Sequence, residues 1–134
     1  MSKGTLIGID LGGTNVRVAT VLDNKIETMI SEPVSGADNA ELLINQIKSM
    51  ISTLWDANIE GIGIGVPSVV DVEKGIVYDV QNIPSWKEVP LKQILENEFG
   101  KPVFINKEAF LLRLPHNYYR TIFCIQVIIV GQAK

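Results

Sequence analysis

The fold is decided by residues 8–19, which read GIDLGGTNVRVA, a β-rich stretch interrupted by the pair Gly12 and Gly13. A dinucleotide-binding loop runs from a strand through a glycine-rich turn into a helix. Here the residues after the turn, 16–22, are strand-like again, so the stretch does not fit a dinucleotide-binding loop. It predicts instead a β-hairpin with glycine at its tip.

The tip of this hairpin has two interpretations. In an ordinary tight turn, glycine only supplies a positive φ angle. Alternatively, backbone N–H groups that no Cβ covers can cradle a phosphate. Asp10 could then hold a hydrated Mg²⁺, and Thr14 and Asn15 could donate hydrogen bonds to phosphate oxygens. Taken alone, the motif favours the ordinary turn, because short motifs often arise by chance.

Composition narrows the class of protein. The 134 residues are 46% hydrophobic and 20% charged, with 12 basic and 15 acidic side chains, which suits one globular domain without a nucleic-acid partner. The single cysteine, Cys124, excludes an intrachain disulfide and suits a reducing compartment. The longest apolar run, 122–130, is far shorter than the ~20 residues of a membrane span. We therefore expect a soluble cytoplasmic protein.

Alternating apolar residues, bounded by Gly, Pro and Asx turns, predict a series of strands. The first three are expected to form consecutive antiparallel hairpins, and the strand that follows a helix is expected to be parallel to an earlier one. The predicted strands cover residues 6–11, 16–22, 26–31, 59–66, 75–80 and 103–105, and loops are predicted at 67–71 and 82–90.

Two helices complete the prediction. Apolar residues at spacings of three and four predict a helix over 39–57, with Ser35 or Asp38 as its N-cap. A shorter helix is predicted from Leu91 to Phe99, and Gly100 is expected to end it. The order βββαβ(β)αβ indicates an α/β fold, with a mixed sheet and helices packed on it.

Three ordered motifs over residues 5–106 resemble the ROK sugar kinases, members of the actin and hexokinase superfamily. The resemblance implies a ribonuclease H-like mixed sheet of the βββαβαβ type, forming a single truncated lobe. The motifs are IDLGGTN at 9–15 with Arg17 after it, GIGIGVPS at 61–68 with Asp71 after it, and NIPSWKEVPL at 82–91; FGKPV at 99–103 matches a helix–strand junction.

The resemblance also implies a site for ATP, Mg²⁺ and a hexose. ATP is expected to contact the hairpin, and Mg²⁺ is expected to be held by Asp10 through water. The sugar is expected near Ser68, which stands where the family usually has glycine, and near Asn82. Trp86 is either a packing residue or part of the sugar-site rim. The implied cofactor-binding residues are Asp10, Gly12, Gly13, Thr14 and Asn15.

The resemblance breaks at residues 106–110, which read NKEAF where the family has the motif N-D-A-N. Ala109 fixes the register, so Glu108 takes the position of the catalytic Asp and Lys107 that of a sugar-binding Asn. The longer Glu108 side chain moves the carboxylate by roughly 1 Å, which can lower a rate by ~10²-fold. The Lys107 ammonium would favour the charged carboxylate and make it a weaker base. We therefore expect a defective catalytic site.

The chain divides in this interpretation into a ROK N-terminal lobe, 1–106, and a divergent tail of a helix and an apolar strand, 107–134. No zinc site is expected, since neither His116 nor Cys124 has the spacing of zinc ligands. The abrupt loss of similarity after residue 110 suggests a frameshift, a degenerate gene or a deliberate truncation, and the sequence leaves these three open.

The leading function is therefore the truncated N-terminal lobe of an ATP-dependent hexose kinase of the glucose type, inactive by itself. The alternative is a non-catalytic domain that self-associates, as a homodimer through 122–130 or through the exposed face of the lobe. A ROK-type repressor is not expected, because Thr5 already begins the first strand where a helix-turn-helix would have to precede it.

Overall fold

The computed structural model describes residues 4–12, 14–22, 25–36, 38–66, 69–71, 73–80 and 83–107. These residues form eight strands and two helices. In chain order they are β1 (Thr5–Leu11), β2 (Asn15–Leu22), β3 (Lys25–Pro33), α1 (Ala40–Leu54), β4 (Ile59–Val66), β5 (Val69–Asp71), β6 (Ile76–Tyr78), β7 (Glu88–Val89), α2 (Leu91–Phe99) and β8 (Val103–Lys107).

The main sheet has five strands in the order β3-β2-β1-β4-β8. β1, β2 and β3 pair antiparallel and are separated in sequence by only a few residues, whereas β4 is parallel to both β1 and β8. The parallel pairs follow the helical connections, as a crossover requires. The predicted mixed α/β sheet is thereby confirmed.

The two faces of the main sheet differ in side-chain size. One face carries large aliphatic side chains, with Ile7 opposite Ile62 on the neighbouring strand. α1 lies on this face, because Gln46 donates a hydrogen bond to Glu32, whose β2 partner is the core residue Val16. On the other face Gly8, Gly61, Gly63 and Gly65 occupy successive paired positions. That glycine-rich face also carries Asp10.

The predicted N-cap of α1 was wrong. Asn39, rather than Ser35 or Asp38, caps the helix, and its Oδ1 accepts hydrogen bonds from the backbone N–H groups of Glu41 and Leu42 at 3.0 and 3.3 Å. Asn39 immediately precedes the first helical residue, so its short side chain reaches these unpaired donors. The hydroxyl of Ser35 instead donates to Gln46 Oε1.

A second sheet has three strands in the order β5-β6-β7. β6 lies within the strand predicted over 75–80, whereas β5 and β7 lie where loops were predicted over 67–71 and 82–90. β5 pairs antiparallel with β6, and the backbone N–H of Gly75 donates to Asp71 O at 2.7 Å in the turn between them. β5 and β7 have three and two residues, too few to show a period of two. α2 was predicted correctly, and Gly100 ends it with φ 67°.

Candidate functional site

The hairpin between β1 and β2 is closed by a short backbone hydrogen bond. Gly12 N–H donates to Asn15 O at 2.9 Å, and a Cβ at Gly12 would lie 3.3 Å from that oxygen. The Gly12 N–H is therefore used within the turn, so it is not one of the free N–H groups at the tip that could cradle a phosphate. What Gly12 contributes is the absence of a side chain, which lets the backbone close tightly.

The tip of the hairpin presents two polar side chains to solvent. Thr14 and Asn15 are exposed, and within the described part of the chain no hydrogen bond involves either side chain. The backbone around them is fixed, since Val34 N–H donates to Thr14 O at 2.8 Å. A hydroxyl and an amide on a fixed backbone are suitable donors to a phosphate group.

Asp10 lies two residues before this turn and is 4% exposed. Its cross-strand partner is Arg17, whose Nη1 lies 3.4 Å from Asp10 Oδ2. On its other side the paired residue is Gly65 of β4, which has no side chain to fill the adjacent space. The carboxylate therefore lies on the glycine-rich face, next to one cation and next to the hairpin tip.

The parallel strands bring the sequence motifs to one edge of the sheet. Asp10 pairs with Gly65, and Gly65 pairs with Asn106 of β8, so β1, β4 and β8 end at the same level. The backbone of Lys107 pairs with Val66 at this edge. Ligands of α/β sheets bind outside the carboxyl ends of such strands. Of the other predicted site residues, Gly13, Ser68, Asn82 and Glu108 lie outside the described residues, as does the segment 122–130.

The donors at this edge suit a magnesium nucleotide. Mg²⁺ prefers oxygen ligands and commonly uses one or two carboxylates together with phosphate oxygens and water. Asp10 supplies one carboxylate, and Thr14 and Asn15 supply donors for phosphate. Across the described ranges no cluster of three or more His, Cys, Asp or Glu side chains could hold a metal by itself. One carboxylate next to donors for phosphate is a set of groups that fits a cation bound together with phosphate.

Trp86 is a packing residue of the loop that follows β6. Its side chain is fully buried, and the loop is closed by backbone hydrogen bonds of Asp79 N–H to Lys87 O and of Val80 N–H to Trp86 O, both 3.1 Å. Its indole N–H finds no acceptor among the described residues. Of the two interpretations of Trp86, burial supports the packing role.

Sequence reasoning missed the pairing of Asp10 with Arg17. The signal was present, because both residues lie two positions outside the Gly12–Asn15 pair that closes the hairpin. Residues at equal distances from a hairpin turn are cross-strand neighbours on the same face. The predicted hairpin therefore already implied this ion pair.

None of the described helices is long and apolar enough to cross a membrane. Among known proteins, the ROK family matches residues 6–130 of this chain. The glucokinase of Thermotoga maritima is 37% identical over 111 residues, which cover 81% of this chain and 35% of the glucokinase. The xylose repressor of Caldicellulosiruptor bescii is 34% identical over 115 residues, covering 79% of this chain and 28% of the repressor.

Solved structures show the same relationship. A ROK family glucokinase from Streptomyces griseus, in complex with glucose and AMPPNP, superposes with a TM-score of 0.71 at 27% identity, covering 81% of this chain and 34% of that one. The glucokinase from Parabacteroides distasonis gives a TM-score of 0.74 at 26% identity, covering 82% and 32%. This chain spans about a third of the length of the curated glucokinases that it matches. With a family match over most of its length and the same fold as solved ROK kinases, the chain belongs to the ROK family.

Proposed function

We propose that the chain is the N-terminal lobe of an ATP-dependent hexose kinase of the glucose type, and that the β1–β2 hairpin binds the phosphates of ATP. The observation that carries this proposal is the position of Asp10. A buried carboxylate next to an exposed Thr14–Asn15 tip lies at the edge where β4 and β8 also end. A hexose kinase of this type needs a supply of ATP and free sugar, and as part of the proposal we place the chain in the cytoplasm.

Each residue of the edge has a role in this proposal. Asp10 orients the hydrated Mg²⁺, and Thr14 and Asn15 donate hydrogen bonds to phosphate oxygens. Gly12 and Gly13 add no side chain that would obstruct the phosphates. The magnesium ion neutralises charge on the phosphates when it is bound. Ser68, Asn82 and Lys107 contact the sugar, and Glu108 lies at the position of the general base.

We expect no glucose phosphorylation by the 134-residue chain alone. Phosphoryl transfer depends on positioning and on charge stabilisation from all sides of the substrate, and the chain spans about a third of its glucokinase relatives. Glu108 and Lys107 further weaken the site. A coupled assay with glucose and ATP tests this expectation. Turnover that purifies with the protein and vanishes in Asp10→Ala would contradict it.

The hairpin should nevertheless bind polyphosphate weakly, because its donors belong to one local structure. We expect millimolar affinity at best, about −4 kcal/mol. Titration of ¹⁵N-labelled chain with ATP–Mg²⁺ should shift backbone amides at 10–15. The variants Asp10→Asn and Thr14→Val should weaken the shifts, whereas Leu42→Ala, at an exposed helix position, should leave them unchanged. Shifts confined to residues far from the hairpin would refute the proposed function.

The alternative role is a self-associating domain without catalysis. It is supported by the two outer strands of the main sheet, β3 and β8, each of which pairs on one side only within the described part of the chain. Unpaired strand edges favour association. The relatives include a repressor as well as kinases, so membership of the family does not by itself imply catalysis. Detection of ATP binding at the hairpin would favour the kinase role.

A further inference from the structure

The ion pair between Asp10 and Arg17 has the features of a contact that can be exchanged. The two residues are cross-strand partners on the glycine-rich face of the main sheet. Their closest atoms, Nη1 and Oδ2, are 3.4 Å apart, whereas charge-assisted hydrogen bonds of this kind are usually about 2.7–2.9 Å long. The geometry is that of a single long contact, in contrast to the two parallel bonds that arginine and carboxylate groups often form.

The two partners differ in their exposure to solvent. The Asp10 side chain is 5% exposed and the Arg17 side chain 27%. A buried carboxylate requires a counter-charge, because burial removes the water that would otherwise stabilise it. The guanidinium, being partly in water, loses less when it moves away. Asp10 therefore depends on a cation more strongly than Arg17 depends on Asp10.

Within the described part of the chain, Arg17 provides the one polar contact of the Asp10 carboxylate. The neighbouring paired positions do not offer a second cation, since Gly65 lies on one side of Asp10 and Ser31 lies beyond Arg17. A cation that reaches Asp10 must consequently share or replace the interaction with Arg17.

We propose that Arg17 is an internal counter-ion that competes with a divalent cation for Asp10. In the chain without ligands the guanidinium neutralises the carboxylate, and binding of the cation displaces it. This inference rests on the proposed function, because it assigns the cation to Asp10. Arg17 is in this scheme a positioning residue, which sets the cation affinity of Asp10 and keeps that affinity low until phosphate accompanies the cation.

The competition can be measured with Mn²⁺ alone, followed by electron paramagnetic resonance of the free ion in titrations of the full 134-residue chain. Arg17→Met removes the competing charge and should tighten Mn²⁺ binding about tenfold, since one unit charge a few ångströms away acts on a divalent ion. Arg17→Lys retains the charge and should stay within about threefold of the unchanged chain.

The double variant Asp10→Asn/Arg17→Met tests whether the tighter Mn²⁺ binding takes place at Asp10. It should lose the gain in Mn²⁺ affinity that Arg17→Met produces. Unchanged or weaker Mn²⁺ binding by Arg17→Met would overturn the inference. So would a gain that persists in the double variant, because the cation would then bind elsewhere.

A second measurement does not depend on any variant. Titration of the unchanged chain with Mg²⁺ should shift the side-chain Nε–Hε signal of Arg17 with the same midpoint as the backbone amide of Asp10. A shift at Asp10 without one at Arg17 would overturn the inference while leaving the cation at Asp10. In the titration with ATP–Mg²⁺, the amides of Thr14 and Asn15 test the proposed function separately, since their contacts with phosphate do not involve Arg17.

Discussion

Two glycines have almost the same left-handed backbone angle but different surroundings. Gly75, in the turn between β5 and β6, has φ 68°, and Gly100, after α2, has φ 67°. A Cβ at Gly75 would overlap the side chain of Lys92, whereas a Cβ at Gly100 would meet no atom within 4 Å. The first glycine is therefore required by packing as well as by conformation, and the second by conformation alone.

Alanine substitution should separate these two requirements. Gly100→Ala should lower the free energy of unfolding by about 1 kcal/mol, the cost of a left-handed residue with a side chain. Gly75→Ala adds a steric overlap and should cost about 3 kcal/mol. It should also weaken the contact in which Lys92 N–H donates to Gly75 O. Urea unfolding of both variants tests the difference, and equal losses would contradict it.

Trp86 offers a test of whether its buried N–H contributes to stability. Trp86→Phe keeps an aromatic ring and removes a donor that has no acceptor among the described residues. We expect it to cost less than about 1.5 kcal/mol. Trp86→Ala leaves a large cavity and should cost about 3–5 kcal/mol. If Trp86→Phe were as damaging as Trp86→Ala in urea unfolding, the indole N–H would have to be hydrogen-bonded.

At the scale of elements, the N-terminus of α1 shows how one side chain fixes a helix boundary. Asn39 has extended backbone angles and accepts hydrogen bonds from two of the first unpaired N–H groups of the helix. Asp38 is exposed and one residue too early to make these bonds. Both residue types are favoured caps, so composition alone could not distinguish them.

Alanine substitution at these neighbouring positions provides a matched pair. Asn39→Ala should reduce the free energy of unfolding by about 1 kcal/mol, the usual contribution of an N-cap. Asp38→Ala should change it by less than about 0.5 kcal/mol, as expected of an exposed residue that makes no hydrogen bond to the described residues. Thermal unfolding followed by circular dichroism measures both. A larger loss for Asp38→Ala would mean that the helix is capped differently in solution.

The elements that sequence predicted best are those with a clear period and clear ends. β4 (Ile59–Val66) was predicted at both boundaries, because alternation begins after Asn58 and stops at Pro67. Of the small sheet only β6 was predicted, and β5 and β7 were missed because they become strands only through pairing with β6. Such pairing depends on contacts between distant residues, which local propensity does not contain.

The candidate site was predictable where it depends on one hairpin and unpredictable where it depends on the assembled sheet. Asp10 and the polar tip followed from the hairpin, and the pairing of Asp10 with Arg17 could have been derived from its symmetry. The hydrogen bond from Gly12 N–H to Asn15 O could not be derived in this way, because it depends on the geometry of the turn. The common level at which β1, β4 and β8 end could not be derived from the sequence either, because it is fixed by the register of the assembled sheet.

At the scale of the whole molecule, the main sheet has two outer strands with different character. β3 is exposed along most of its nine residues, and Met29 is 39% exposed. β8 is short, and both Val103 and Ile105 are buried. The large exposed apolar side chains among the described residues, Met29 and Leu42, lie on β3 and α1. Met29 pairs with Ala19, which pairs with Gly8, so it lies on the glycine-rich face, whereas Leu42 lies on α1 over the opposite face. The two residues therefore mark the exposed surface of the lobe on both sides of the sheet, and this surface is one of the two candidate dimer surfaces.

The other candidate surface is the segment 122–130, which lies outside the described residues and whose sequence is IFCIQVIIV. As a strand it would carry apolar side chains toward both faces, a pattern typical of strands buried on both sides. Each large aliphatic side chain gains ~1.5–3 kcal/mol on burial, so association that covers several of them would be strongly favoured. We expect a two-fold dimer that pairs this segment with its counterpart or with a sheet edge.

Two double variants with the same added charge distinguish the surfaces. Ile125→Lys/Ile128→Lys should yield monomer or loss of folding, because a charged side chain is costly to bury. Met29→Lys/Leu42→Lys places two lysines at positions that are already exposed and should leave the dimer intact. Light scattering at two concentrations measures the mass, and circular dichroism shows whether each variant is folded. A dimer broken only by Met29→Lys/Leu42→Lys would assign the interface to the exposed surface of the lobe, and the two single variants would then show which side of the sheet is used. If Ile125→Lys/Ile128→Lys keeps both the mass and the melting temperature of the unchanged chain, the segment 122–130 has no part in assembly.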